Sequence, residues 1–245
     1  MSNFINIGFA EEHYLHNEIL CKKGGYAERN TATLLLKNTV KSIKESDAEL
    51  MEKTRGKWDG LVKPLGSLGV MEELGIKISG ITGKINNKLD KKVIVVMSSD
   101  NGVFEENVAS APQIVTTVLT EGMVQGITGV STLGKFVGAD IVTVDIGLNS
   151  DYSHEKVLNR KIAHGTKNFT KGPAMTYQEA IKAIEIGIEI GDQLFAQGYQ
   201  ILGTGELGMG NTSTSAAVLS VLSGLDVDTT CGKGAGITEE QYKNK

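Results

Sequence analysis

The residues best equipped for chemistry lie at positions 203–215, in the run Gly-Thr-Gly-Glu-Leu-Gly-Met-Gly-Asn-Thr-Ser-Thr-Ser. Glycines at 203, 205, 208 and 210 let the backbone pass close to a ligand and take up positive φ. Asn211, Thr212, Ser213, Thr214 and Ser215 then supply amide and hydroxyl donors where an apolar segment, 216–222, is expected to be helical. A helix start offers unpaired N–H groups and the positive end of its dipole, which suits phosphate. Glu206 is the odd residue in such a loop, because a carboxylate repels phosphate at close range. It is expected to face a hydroxylated or cationic part of the ligand.

The same glycines trace a G-x-G-x-x-G outline at 203–208, with Asp226 or Asp228 about twenty residues further on, as in a dinucleotide fingerprint. A dinucleotide turn, a purely structural glycine turn and a single-phosphate cradle are the three readings. The cradle is preferred, since the Asn-Thr-Ser-Thr-Ser run holds more side-chain donors than a fingerprint needs. Asp100 and Asp145 each end an apolar run, and either touch ligand or cap the element that follows. Gly165, Thr166 and Asn168 could hold phosphate or ribose, or form an Asx-type turn. Lys233 and Lys245 are candidates to neutralise phosphate. For His164, Trp58 and Phe169 the ordinary reading is packing.

These residues need strands and helices to bring them together. The continuous β-branched run at 91–99 reads as a buried parallel strand, with Asp100 at the end where open α/β sheets bind ligands. Helices are expected from Pro112 to about Gly122 and on to Val137, then a second strand over 140–147 and a polar, exposed connection over 148–159. Thr176 and Glu179 make a capping box for an amphipathic helix that Gly198 can end. A strand over 199–202, the glycine loop, a helix and a short strand over 227–231 follow. Upstream, the spacing of Leu34, Leu35, Leu36, Val40, Ile43, Leu50 and Met51 predicts two helices broken near Ser46 and Asp47, and a third is expected over 70–81. The alternation implies an α/β fold: a Rossmann-like, three-layer, mostly parallel sheet with helices on both faces, plus a small helical subdomain. The expected division is an N-terminal arm over 1–32, the helical subdomain over 33–90 and an α/β nucleotide-binding domain over 91–245. A last capping-box pattern at Thr238 opens a helix expected to continue past Lys245.

The 245 residues suffice for one large domain with an appended subdomain. With 40% hydrophobic and 22% charged residues the composition is that of a globular protein. A net charge of -4 without a basic stripe argues against nucleic acid. Two cysteines and four histidines show no metal-ligand spacing, and no apolar run of about 18 residues suggests a membrane span. A cytoplasmic protein that uses no metal or cofactor is the expectation.

Eight segments, in order, resemble the nicotinate-nucleotide:dimethylbenzimidazole phosphoribosyltransferases of cobalamin lower-ligand synthesis. They are KPLGSLG (63–69), SSDNGV (98–103), ASAPQIVT (109–116), VDIG (144–147), GTKNF (165–169), GPAMT (172–176), GELGMGNTS (205–213) and GKGAGI (232–237). The resemblance implies transfer of a phosphoribosyl group from nicotinate mononucleotide to 5,6-dimethylbenzimidazole or a related aromatic base. It implies Glu206 beside the ribose as the catalytic carboxylate. It also implies nucleotide and phosphate contacts from Gly165, Thr166, Asn168, Gly205, Gly208, Gly210, Asn211, Thr212 and Lys245, and a base pocket from Asp100, Asn101, Gln113 and Met175. A homodimer is implied as well. Asn101 stands where many members carry His, and the first 30 residues have no counterpart. The family's general base is a glutamate in a region C-terminal to Lys245, so the chain alone is expected to bind nucleotide and transfer slowly or not at all. The contrasting expectations are a non-catalytic ligand-binding or scaffolding subunit that pairs with a catalytic homologue, and a dinucleotide-dependent oxidoreductase using Asp226 or Asp228.

Overall fold

A computed structural model describes residues 33–245; the arm expected over 1–32 lies outside the described residues. The chain falls into two units. Among the described residues, one holds 33–90 together with Ile188–Ala196, the other Lys91–Gly187 and Gln197–Lys245.

The first unit contains α1 (Leu34–Ser42), α2 (Ala48–Asp59) and α3 (Val70–Thr82). Thr33 and Asp47 cap α1 and α2, their side chains accepting from Leu36 N and Leu50 N. Asp47 therefore starts α2 where the apolar spacing breaks, because its carboxylate meets an orphan N–H better at a cap than inside a helix. α2 and α3 approach closely: Thr54, 1% exposed, donates to Leu50 O at 2.8 Å and to Ser79 Oγ at 2.7 Å. A side chain on Gly80 would run into Met51, and Gly75 lies against the Trp58 ring, so Trp58 packs. The 61–69 loop is pinned on Glu72, which accepts from Lys63 Nζ at 2.8 Å and Leu68 N at 3.0 Å. The hydrogen bond from Lys63 is the main reason its carboxyl is held below the usual range.

The second unit is built on one parallel sheet in the order β3-β2-β1-β4, from β1 (Lys92–Ser99), β2 (Ala139–Gly147), β3 (Val157–Asn159) and β4 (Ile201–Leu207). A 3-10 turn (Gly102–Glu106), α4 (Ile114–Gln125) and α5 (Gly129–Val137) connect β1 to β2, and α6 (Tyr177–Ala196) precedes β4. α7 (Asn211–Ser223), α8 (Val227–Thr230) and α9 (Glu239–Asn244) follow. Val95 and Val96 point to opposite faces and both are buried. The sheet is thus covered on both sides, which is why β1 reads as an unbroken apolar run rather than an alternation.

The capping box at α6 is formed: Thr176 N and Oγ1 donate to Glu179 Oε2 at 2.6 and 2.9 Å, and Glu179 N returns a bond to Thr176 Oγ1 at 3.2 Å. Three expectations need correction. The connection over 148–159 is not simply exposed, because Leu148 is fully buried and Val157–Asn159 adds strand β3, too short to show a period. The strand expected over 199–202 runs on to Leu207, taking the first glycines into the sheet. The strand expected over 227–231 is the helical turn α8, opened by Asp226 at its N-cap.

Candidate active site

Because β1, β2 and β4 are parallel, the segments that leave their C-terminal ends emerge along one edge of the sheet. After β1 come Asp100 and Asn101. Asp100 is 2% exposed and its Oδ2 accepts from Asn149 N at 2.8 Å. Asp145 accepts from Leu148 N at 2.9 Å and pairs with Lys161 Nζ at 3.3 Å. The two acids at the strand ends thus brace the turn that leaves β2. Asp100 Oδ1 has no hydrogen-bond partner among the described residues.

Glu206 sits in β4, opposite Met97 of β1. Gly203 and Gly205 are flat strand residues, and their role is spatial: an added Cβ would come within 3.3 Å of Ile94 Cγ1 and 3.2 Å of Val96 Cγ2. At Gly208 a Cβ would collide with Ser99 O and the Asn211 side chain. Of the four loop glycines, Gly210 alone has positive φ, at 90°, where L-residues are disfavoured. Met209, between Gly208 and Gly210, is held at both its N–H and its carbonyl. Met209 N donates to Thr116 Oγ1 at 3.1 Å, and Met209 O accepts from Asn101 Nδ2 at 3.2 Å. Asn101 Nδ2 also donates to Asn211 Oδ1 at 2.5 Å, and Asn211 Nδ2 donates to the Glu206 carboxylate.

Gly210 caps α7 without a side-chain hydrogen bond to the helix start. Into this end reaches Lys245, whose Nζ donates to Thr212 Oγ1 at 2.7 Å and Gly232 O at 2.8 Å. Both acceptors are neutral. A cation at the positive end of a helix dipole is on the wrong side by about 0.3–1 kcal/mol, and an anion bound there would reverse the sign. α9 is anchored by Gln241 Nε2 on Ala109 O at 2.9 Å and Tyr242 OH on Cys231 O at 3.1 Å. Lys233 pairs with Glu239. The result is an open cleft of about 160 Å³, with residues 206–212 on one side and Val108, Ala109, Ser110, Lys233, Ala235 and Ile237 around the rest.

Of the residues singled out in the sequence, Glu206, Gly208, Gly210, Asn211, Thr212 and Lys233 line this cleft, and Lys245 reaches it through Thr212. Gly205 lies one residue earlier, within β4. Asn101 stands behind the loop. Gln113 Oε1 accepts from Asn149 Nδ2 at 3.2 Å. Gly165, with φ 75°, and Thr166 pack on the Asp100 corner, Thr166 N donating to Asp100 O at 3.0 Å. Asn168 makes the Asx-type bond to Thr170 N at 3.1 Å and donates to Glu106 at 2.5 Å. Met175 is partly exposed and does not line the cleft. Sequence reasoning missed Thr116 and the wall at 108–110. The available signal for Thr116 was a pair of threonines, 116 and 120, four apart in a helix, which places two hydroxyls on one face, and both are buried. Among the described residues no cluster of three or more His, Cys, Asp or Glu could hold a metal ion.

A family model described as "Phosphoribosyltransferase" matches residues 43–245. The chain is 52% identical over 211 residues to the nicotinate-nucleotide-dimethylbenzimidazole phosphoribosyltransferase of Clostridium tetani (strain Massachusetts / E88), covering 86% of this chain and 58% of that protein. The like-named protein of Clostridium perfringens (strain 13 / Type A) is 50% identical over 211 residues, again with 86% and 58% covered. In structure the chain is similar to CobT from Thermus thermophilus, with a TM-score of 0.77, 31% identity, and 80% of this chain and 59% of that one covered. The chain thus spans a little under three fifths of the length of these relatives.

Proposed function

Since the chain belongs to this phosphoribosyltransferase family, we propose that it forms the nucleotide-binding part of an enzyme that moves a phosphoribosyl group from nicotinate mononucleotide to 5,6-dimethylbenzimidazole or a related base. The products would be α-ribazole 5'-phosphate and nicotinate. The observation that carries the proposal is the placing of Lys245 against Thr212 at the positive end of α7, beside a carboxylate, Glu206, on the adjoining strand. In this reading the phosphate takes the backbone N–H groups of Gly208, Gly210 and Thr212, the Thr212 hydroxyl and the Lys245 ammonium. The ribose then extends towards Glu206, and the aromatic base lies on the wall of Val108, Ala109 and Ile237.

The chemistry asks little more of the protein. The bond from C1' to the pyridinium nitrogen breaks and its electron pair neutralises that nitrogen, so nicotinate leaves without an acid. The azole nitrogen attacks C1' from the opposite face, which turns a β into an α linkage. Positive charge grows on the ribose meanwhile, and a fixed carboxylate at Glu206 stabilises it. The azole loses its one N–H proton to a general base as the bond forms. A homodimer in the cytoplasm belongs to the same proposal. It fits the exposed Leu133 and Phe136 of α5 and the finding that no described helix is long and apolar enough to cross a membrane.

Incubation of the protein, in the form the cell makes, with nicotinate mononucleotide and 5,6-dimethylbenzimidazole should release nicotinate and α-ribazole 5'-phosphate in equal amounts, read by chromatography with mass detection. Nucleotide consumption without a base-ribose product would refute the reading.

A further inference from the structure

Asn101 stands out because it is 6% exposed and does not itself line the cleft, yet bonds to two residues that do, Met209 and Asn211. Its amide has one group within reach of both Met209 O, at 3.2 Å, and Asn211 Oδ1, at 2.5 Å. An Asn amide can be turned either way, but a backbone carbonyl only accepts. The group facing Met209 O is therefore the NH2. That fixes the next link: Asn211 must offer its oxygen to Asn101, so its own NH2 points away, onto the Glu206 carboxylate. A carbonyl that cannot change polarity thus sets the polarity of two amides in series.

We infer that Asn101 is a positioning residue for transfer, holding Asn211 in the one orientation that lets it donate to Glu206. The inference rests on the proposed role of Glu206 beside the ribose. Without Asn101 the Asn211 oxygen loses its donor, and the side chain can swing out of the loop and take its NH2 away from Glu206, which then loses its place. Thr116 holds only the preceding peptide, through Met209 N, so the relay runs through Asn101 and not through the α4 contact. A carboxylate that acts on charge developed in the transition state lowers kcat when displaced, and leaves ground-state binding of the nucleotide largely intact.

The test compares Asn101→Leu, of similar size without a donor, with Asn101→His, whose ring Nδ1 stands as many bonds from Cβ as the native amide nitrogen. In the protein as the cell makes it, Asn101→Leu should lower kcat at least about tenfold with KM for nicotinate mononucleotide changed by less than about threefold, and Asn101→His should recover most of the rate. Asn101→Ala replaces the Leu variant if that one does not fold. A second readout needs no turnover: hydrogen exchange of the Asn211 side-chain amide, assigned by its disappearance in Asn211→Asp, should be slow in the native protein and in Asn101→His and at least about tenfold faster in Asn101→Leu. Unchanged exchange in Asn101→Leu overturns the relay. Rapid exchange in that variant with no transfer activity in the native protein leaves the relay standing and removes the proposed reaction instead.

Discussion

Replacing Gly208 by alanine tests whether this glycine is present for space rather than for backbone freedom. Its φ is not in the left-handed region, so alanine meets no conformational penalty, and the cost is steric. The new methyl would overlap Ser99 O, backbone at the end of β1, and the Asn211 side chain. The strand backbone is held by its neighbours in the sheet and cannot give way. Asn211 can rotate, but only by leaving both Asn101 and Glu206. Overpacking of this kind costs about 1–3 kcal/mol, and the reduced freedom of the unfolded chain returns about 0.5–1 kcal/mol. The net destabilisation is about 0–2.5 kcal/mol, or a Tm lower by up to about 10 °C for a chain of this size. Displacement of the loop by about 1 Å should cost transfer about a hundredfold. Gly203→Ala is the control. Its Cβ would lie 3.3 Å from Ile94 Cγ1, a side-chain atom that can move by the few tenths of an ångström required, so its stability should stay within about 1 kcal/mol of the native protein. Thermal melts and calorimetric titration with nicotinate mononucleotide read both variants. Equal behaviour of the two would refute the steric assignment.

Three further outcomes are expected. Glu206→Gln keeps the size of the side chain and removes its charge; kcat/KM should fall at least about tenfold, about 1.4 kcal/mol in the barrier, with an unchanged melting curve, and an unaltered kcat/KM would reject the role. Lys245→Ala should weaken nicotinate mononucleotide about tenfold or more while leaving nicotinate riboside, which lacks the phosphate, unaffected; equal losses for the two ligands would place the lysine elsewhere. Burial, and then the hydrogen bond to Glu121, push the Tyr152 phenol up to about 12. Above the ordinary value of about 10 the unfolded chain therefore releases this proton before the folded one does, and stability falls as pH rises between about 10 and about 12. Urea titrations over that window should show a shallower fall for Tyr152→Phe, and an identical slope in both proteins would contradict the assignment.

The parts legible in the sequence are those with a local cause. Thr176 with Glu179 and Thr238 with Gln241 form the caps their spacing predicts, and Asp47 caps the helix that starts at the predicted break, because each cap is a contact within one turn. β1 is legible because burial on both faces leaves no polar positions in it. The glycine loop was found for a partly wrong reason. Four glycines suggested close approach to a ligand and positive φ, and only Gly210 has positive φ; Gly203 and Gly205 lie in β4, where Ile94 and Val96 of the neighbouring strand crowd any side chain. Crowding by a strand more than one hundred residues away has no local signature. Thr116 escaped notice for the same reason, since its bond to Met209 spans 93 residues. The polar residues at 148–159 likewise concealed β3, whose three residues take their conformation from β2 and not from their own pattern.

The placing of Glu206 in the strand, ahead of the turn, resolves the conflict that its charge presented. Two unit charges of the same sign about 4 Å apart repel by about 1 kcal/mol in water and by about 4 kcal/mol at an effective dielectric constant near 20. An acid on the turn itself, at Thr212 for instance, would meet a bound phosphate at that range and also pair with Lys245, neutralising the ammonium that neutral oxygens now hold there. At position 206 the carboxylate is met by the Asn211 amide, whose donors offset its charge without cancelling it. The backbone of Asn211 meanwhile belongs to the first turn of α7. One residue thus faces the acid with its side chain and the anion end of the helix with its main chain. Charge along the loop then runs from acid through amide and helix start to ammonium. A ligand that fits this order is negative at one end and becomes positive towards the other, which describes a nucleotide losing its base.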